Sequence, residues 1–354
     1  MLHSFIITAM DMKEVCMRVL VLSGGRSAEW EISLLSAGWV SGELKAAGHS
    51  VTEVFIDRDG SWMLRGSAAR LSVETCELPW KLSSGDTVIP FDVVFPVLHG
   101  SFGEDGTVQG FCATAGWPCA GVPVLGSAIA MEKHTMKKLA SQASIPVVPW
   151  VFFDENPNSC FECLQEEIAA LGYPLFVKPS RLGSSVGISR VNSVDELPGA
   201  IRLASSYDSL ILIEKAVDSP REIEVSVLGN GVQVLSSVPG EVLPGRDWYD
   251  YTAKYQCEES ELAIPAELSA SHMEDIRMMA ENAFRLLGGR GYARVDFLMN
   301  SKGVWLNEIN TIPGFTSISM FPKLWAATGM ESADLLNFIL EEAFSRSDHG
   351  LGLE

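Results

Sequence analysis

The chain has 354 residues and a formal net charge of −19, with 47% hydrophobic and 20% charged residues. That length suits two or three domains with ample core, and the composition excludes a disordered chain. The acidic balance argues against non-specific nucleic-acid binding, and no apolar run is long enough to span a membrane.

In chain order, residues 1–16 carry Phe5-Ile6-Ile7, interrupted by Asp11 and Glu14. They lack the basic and apolar regions of a signal peptide and read as a leader, disordered or an upstream start-codon extension. Arg18 to Leu22 is a buried-strand pattern, followed by the turn Ser23-Gly24-Gly25-Arg26 and a helix from about Glu29 to Ala47. A strand from Val51 to Ile56 completes a βαβ opening, which implies a parallel sheet. The Gly-Gly turn is not a G-x-G-x-x-G fingerprint, so a dinucleotide site does not follow from it. Asp92 to Leu98 is a further buried strand, and it runs into the polar loop His99 to Gly106. Functional residues gather at the carboxyl ends of such strands.

A second module begins near Ser127, with a helix from about Lys133 to Ala143, a strand from Val147 to Phe153 and a helix from about Phe161 to Leu171. Strands follow at Leu175 to Pro179 and Leu210 to Glu214. A third module from about Val217 holds strands near Ile223 to Leu228 and Val232 to Val238, then a polar loop from Gly240 to Gln256. A loop of that length reads as a lid or binding loop. A helix from about Ser269 to Leu287 leads into a hairpin, and helices close the chain. The seven cysteines are scattered, which fits a reducing cytoplasm. Cys160-x-x-Cys163 lacks a second pair at zinc-site spacing and reads as coincidence.

The hairpin carries the most chemistry. Arg294-Val295-Asp296-Phe297 and Leu306-Asn307-Glu308-Ile309-Asn310 flank a turn at Asn300 to Gly303. Alternation puts Glu308 and Asn310 on one face, with Asp296 and Arg294 able to share it. Two carboxylates and an amide oxygen suit a hard cation such as Mg²⁺, whereas a solvated acidic face is the plain alternative. The loop Thr311 to Ser319 follows at once, with Gly314 to admit backbone N–H groups to a ligand and Thr316, Ser317 and Ser319 to hold a carboxylate. There is no P-loop signature, so phosphates would fall to other cations: Lys133, Lys178 and Lys215. Lys178 precedes Pro179 to Gly187, a small-residue loop able to lay N–H groups over phosphates.

Together these motifs resemble the D-alanine–D-alanine ligase family of the ATP-grasp superfamily. The resemblance rests on Gly24-Gly25-x-Ser27-Ala28-Glu29-x-Glu31-x-Ser33, on His99-Gly100-x-x-Gly103-Glu104-Asp105-Gly106 and on Lys178-Pro179-Ser180-x-x-Gly183-Ser184-Ser185-Val186-Gly187. It also rests on Glu214-Lys215 and on Asn307-Glu308-x-Asn310-Thr311-x-Pro313-Gly314, while Tyr249 to Tyr255 is similar to the family's mobile ω-loop. The motifs run in family order from about residue 18 to 345.

The resemblance implies α/β and α+β architecture: a three-domain ATP-grasp fold with an N-terminal Rossmann-like parallel sheet. The divisions are 17–126, 127–216 and 217–350, with the ω-loop at 240–256. It implies a cytoplasmic homodimer that joins two D-alanines with ATP, through an acylphosphate, for peptidoglycan. It also implies two Mg²⁺ or Mn²⁺ ions, and no nucleic-acid or membrane partner. By motif match, Glu29 holds the first substrate's ammonium, His99 lies near that substrate, and Ser184 with Tyr255 braces Glu29. Lys133, Lys178 and Lys254 match phosphate-binding lysines, and Glu214, Lys215, Val217 and Glu222 match adenine and ribose contacts. Ser184 and Asn310 also count among the ATP contacts. Arg294 and the Gly314 N–H match stabilisers of the tetrahedral intermediate, and Ser319 matches the group for the second carboxylate. Asp296, Glu308 and Asn310 match the metal ligands. Arg221 adds a residue before Glu222 relative to shorter members, which weakens the ribose match. A D-alanine–D-lactate ligase and a non-catalytic nucleotide-binding ATP-grasp protein are the alternatives. Tyr255 argues against the first, and the intact set of Asp296, Glu308, Asn310 and Arg294 against the second.

Overall fold

The computed structural model describes residues 16–67, 69–154, 164–183, 186–243 and 261–348. The chain opens with β1 (Arg18–Gly24), α1 (Trp30–Ala46), β2 (Ser50–Ile56), β3 (Trp62–Leu64), β4 (Ser72–Glu74), β5 (Lys81–Ser84), β6 (Thr87–Val88), β7 (Val93–Pro96) and α2 (Thr107–Ala115). β1 runs parallel to both β2 and β7, as the βαβ pattern predicts, while β3 joins β2 antiparallel to give the order β3-β2-β1-β7. Its residues Val19 to Leu22 are almost wholly buried, which is why they read as a continuous apolar run. The small antiparallel sheet β4-β5-β6 has strands too short to leave a periodic signature.

The middle of the chain holds α3 (Val124–Met131), α4 (Lys133–Gln142), β8 (Trp150–Asp154), α5 (Gln165–Leu171), β9 (Leu175–Pro179), β10 (Ser189–Val191), α6 (Leu197–Ser205) and β11 (Leu210–Lys215). These strands form an antiparallel sheet in the order β10-β9-β11-β8. The strand expected from Val147 begins only at Trp150. Val147 instead bridges Leu306, and the Pro146 carbonyl accepts the Leu306 N–H at 2.8 Å. Helix α3 runs through residues 126 and 127, so no break in secondary structure marks that position.

The last part holds β12 (Arg221–Asn230), β13 (Val234–Ser236), β14 (Gly240–Leu243), β15 (Glu261–Ala263), α7 (Ala270–Leu286), β16 (Arg290–Asn300), β17 (Gly303–Asn310), α8 (Met320–Thr328) and α9 (Ser332–Asp348). Its sheet runs β15-β14-β12-β16-β17, with β13 also on β12. The loop predicted from Gly240 opens as strand β14, which pairs with Glu222–Glu224 of β12 and with β15. A Cβ at residue 240 would lie 2.7 Å from Leu324 of α8, so glycine allows that helix to pack on the strand. Residues 244–256 of the expected loop lie outside the described residues.

Helix α9 carries Leu335, Leu336, Ile339 and Leu340 back into one core with Val19, Val21 and Phe95 of the opening sheet and Val40 of α1. The first and last segments are therefore held together, and this fixes the β7 loop against the segment after β17. Among the described residues no helix is long and apolar enough to cross a membrane.

Candidate active site

The loops after β1 and β7 form one wall of a cleft. Gly24 takes φ of +84°, and a Cβ there would meet the Ile56 carbonyl at 2.3 Å, so the turn requires glycine. The Ser33 hydroxyl accepts the Gly24 N–H at 2.7 Å and donates to the Val97 carbonyl at 2.6 Å, tying both loops together. Ser27 accepts the Glu29 N–H at 3.1 Å. Glu29 is buried with its carboxylate against Gly100, whose φ is +73° and whose missing Cβ would lie 2.5 Å from Glu29 Oε2.

His99 lies behind that carboxylate. Its Nδ1 is 2.9 Å from the Ile312 carbonyl, which can only accept, so Nδ1 carries the hydrogen and Nε2 accepts from the Ser36 hydroxyl at 2.8 Å. Burial lowers its pKa to about 4 despite the Ile312 bond, so the imidazole is neutral at pH 7. Ser36 also accepts the Phe315 N–H at 3.4 Å. His99 and Ser36 thus hold the Ile312–Phe315 loop against the first wall.

The hairpin forms the opposite wall. Arg294 stands across from Asn310 and Asp296 from Glu308, while Val295, Phe297 and Met299 turn into the core with Ile309, Leu306 and Val304. Strict alternation would put Leu306 beside Glu308. The register shifts between Asp296 and Phe297, leaving Asn307 as the extra residue of a bulge. That bulge lets Leu306 fill the core while Glu308 and Asn310 line the cleft.

β12 adds Glu224 opposite Asp296, so Glu224, Asp296 and Glu308 form a row across three strands. Arg294 bridges it: Nε and Nη2 donate to Asp296 at 2.8 and 2.7 Å, and Nε lies 3.0 Å from Glu224. The Asn310 amide nitrogen donates to Asp296 at 2.8 Å. No group of three or more His, Cys, Asp or Glu among the described residues is arranged to hold a metal. Asn310 stands beside Asp296, and turning its amide over would present the oxygen toward Asp296 and Glu308 instead. With that turn the all-oxygen set fits a hard cation.

The third side comes from the middle of the chain. Glu132 caps α4 by accepting the His134 and Thr135 N–H groups at 3.1 and 3.0 Å, and it also binds the Ser180 hydroxyl. The Lys133 N–H returns a bond to the Ser180 carbonyl at 3.1 Å. This clamp sets Lys133 at the cleft, with Nζ donating to the Leu182 carbonyl at 2.7 Å and 3.9 Å from Glu308. Lys178 pairs with Glu214 at 2.6 Å. Gly314 and Gly183 also line the cleft. Ser319 Oγ accepts the Thr316 N–H at 3.0 Å and lies 2.7 Å from the Thr316 hydroxyl.

Lys215 is not brought to the cleft by its ammonium, which donates to the Gly172 and Tyr173 carbonyls at 2.9 Å each. Val217 follows β11 half-buried, and Glu222 is two residues from Glu224 and so on the same face of β12. Ser184, Lys254 and Tyr255 lie outside the described residues.

One cleft residue was given no role from sequence. Glu104 accepts the Gly100 N–H at 3.0 Å and faces Glu29. Desolvation first, then the charge of Glu29, pushes its pKa up to about 8. It stood inside the His99–Gly106 motif, but only the fold shows that it approaches a second carboxylate. Its folded pKa lies above the ordinary 4.5, so the folded chain holds this proton more tightly than the unfolded chain. Stability therefore falls as pH rises from about 4.5 to about 8. Glu104→Gln removes that loss. Its melting temperature should exceed the parent's at pH 8 to 9 and converge with it below pH 4.5, as thermal melts across that range would read. Parallel curves at every pH would refute the assignment.

Residues 18–122 match the family described as D-ala D-ala ligase N-terminus, and residues 139–341 the family described as D-ala D-ala ligase C-terminus. A D-alanine–D-alanine ligase from Heliobacterium modesticaldum is 43% identical over 93% of this chain and 94% of its own length. One from Clostridium acetobutylicum is 40% identical over 94% of this chain and 99% of its own. Among solved structures, the D-alanine–D-alanine ligase from Coxiella burnetii superposes with a TM-score of 0.85 at 34% identity, covering 96% of this chain and 97% of that one. A D-Ala:D-Ser ligase from Enterococcus faecalis gives 0.83 at 32% identity, covering 93% of this chain and 100% of that one.

Proposed function

The chain belongs to the D-alanine–D-alanine ligase family, has the ATP-grasp fold and joins two D-alanines with ATP, and from that premise we propose how its residues divide the work. The observation that carries the reading is the convergence of Glu29, His99, Lys133, Arg294, Glu308, Asn310 and Gly314 on one cleft. Glu29 receives the first D-alanine's ammonium. Neutral His99 keeps the Ile312–Phe315 loop in register with it. The carboxylate of that substrate attacks the ATP γ-phosphate, the bond to the β-phosphate breaks and ADP leaves, with Lys133 and Lys178 on the phosphates. Glu214, Lys215, Val217 and Glu222 take the base and ribose. Lys215 serves there through its backbone, since its ammonium is held by carbonyls.

The second D-alanine's amine then attacks the acylphosphate carbonyl and phosphate leaves. The Arg294 guanidinium and the Gly314 N–H face the charge that develops on the carbonyl oxygen. Ser319 holds the second carboxylate: its Oγ accepts the Thr316 N–H, and when the Thr316 hydroxyl donates to it as well, its own hydrogen is left for the substrate. Asp296, Glu308 and Asn310 would hold two Mg²⁺ or Mn²⁺ ions, which when bound neutralise phosphate charge as Lewis acids. Ser184, Lys254 and Tyr255 keep the roles their motifs imply, as braces of Glu29 and a phosphate lysine. The family resemblance also supports the division at 126/127 and 216/217, a cytoplasmic location and a homodimer.

The test is incubation with ATP, Mg²⁺ and D-alanine, with D-alanyl-D-alanine and phosphate measured together. One dipeptide per phosphate is expected. Depsipeptide formed in preference from added D-lactate would favour the relative that makes esters. Nucleotide binding without phosphate release would leave a non-catalytic binder.

A further inference from the structure

Glu214 stands near the end of β11, opposite Trp150 of β8 and Phe176 of β9. Two ammonium groups meet its carboxylate. Lys137 Nζ is 2.8 Å from one oxygen and Lys178 Nζ 2.6 Å from the other. The relative exposures are 0% for Lys137, 4% for Glu214 and 7% for Lys178. One lysine neutralises the carboxylate; a second in the same buried place costs desolvation without a charge to match. The two lysines differ in their surroundings. Lys178 lies in β9, just ahead of the loop from Ser180. Lys137 lies one helical turn beyond Lys133 on α4, sealed from solvent, donating to the Val148 carbonyl at 3.4 Å and 5.7 Å from the centre of the Trp150 ring.

We propose that Lys137 is a positioning residue that stays on Glu214 as its permanent counter-ion, so that Lys178 can leave for a nucleotide phosphate without stranding a buried charge. This rests on the nucleotide-binding roles given above to Glu214 and Lys178. Desolvation pushes the Glu214 carboxyl up, and Lys137 first, then Lys178, reverse this and hold it at about 2. Burial pulls Lys137 down, while Glu214 opposes that pull. The charged groups facing the pair are Lys178 from β9 and, farther off on α4, Lys133. β8 contributes the Trp150 indole, whose N–H is held by His134 at 3.0 Å. With Lys137 in place, ATP binding requires no proton at Glu214. Without it, the departure of Lys178 forces Glu214 to take one up.

Lys137→Met tests this by steady-state kinetics. The KM for ATP should rise about tenfold or more at neutral pH, with kcat and the KM for D-alanine within about twofold of the parent. In the variant alone, the KM for ATP should also climb with pH between about 6 and 9, because the required proton becomes scarcer. A structural lesion would not produce that slope. The same change is then made on Glu214→Gln, which has no carboxylate to strand. There Lys137→Met should add nothing to the KM for ATP, and this comparison decides the matter if the single variant fails to fold. A parental, pH-independent KM for ATP in the folded single variant, or an undiminished penalty in the glutamine background, overturns the proposal. Failure of the parent protein to make dipeptide from ATP and D-alanine would instead overturn the reading it rests on.

Discussion

Glu308→Gln should lose turnover by about a thousandfold while melting close to the parent. Glutamine keeps the size and one carbonyl oxygen of the side chain, so β17 keeps its packing. What goes is a negative donor on the cleft face, opposite Asp296 and 3.9 Å from Lys133. The side chain is partly exposed, at 21%, and sits outside the Phe297–Leu306 core, so the fold has little at stake in it. Asp296→Ala should be equally inactive but also less stable. Asp296 accepts two bonds from Arg294 and one from Asn310, and removing it leaves the guanidinium with Glu224 as its remaining carboxylate among these contacts. The measurements are kcat over a Mg²⁺ and Mn²⁺ series and a thermal melt for each variant. Near-parental, metal-dependent turnover in Glu308→Gln would remove the metal site from this hairpin.

The hairpin was legible because its two periods are simple. Alternation alone pairs Glu308 with Asn310, and Arg294 with Asp296. The bulge at Asn307 was not legible, since nothing in Leu306-Asn307-Glu308 distinguishes a slipped register from a regular strand. The parallel opening was legible from the apolar run of β1 and the turn at Gly24 and Gly25. The start of the long loop was misread for a related reason. The polar composition of 240–256 signals a loop, yet β14 forms at its start because β12 and β15 flank it and α8 covers it.

Residues that act through long-range contacts left the least trace. Ser36 is an ordinary helix residue until the fold sets it between His99 and Phe315, 279 positions away. Nothing in the sequence singles out Lys137, and only the sheet beside it reveals the carboxylate that it meets. Glu104 stood inside a motif, but its pKa is set by burial and by Glu29, which lies far away in sequence. In each case the side chain is common and the partner is what carries the information.

Gly100→Ala should disable the first-substrate site with little effect on nucleotide binding. Gly100 has φ of +73°, a left-handed conformation that costs an L-residue about 1–2 kcal/mol. The added methyl would lie 2.5 Å from Glu29 Oε2 and 2.7 Å from Ser27 Oγ, so the acid must move. Ser27 holds the Glu29 N–H, which leaves the carboxylate as the part that yields. Displacing a substrate-holding group by about 1 Å lowers activity about a hundredfold, and the loss should appear in kcat/KM for the first D-alanine. Gly60→Ala is the control, with φ of +87° and nothing within 4 Å of its added Cβ. It should lose comparable stability and keep its activity. ATP affinity, read by titration calorimetry, should be unchanged in both, since Lys178 and Glu214 lie on a different sheet. An equal fall in ATP affinity for Gly100→Ala would mean that the whole cleft had shifted. A parental KM for the first D-alanine would mean that Glu29 does not hold its ammonium.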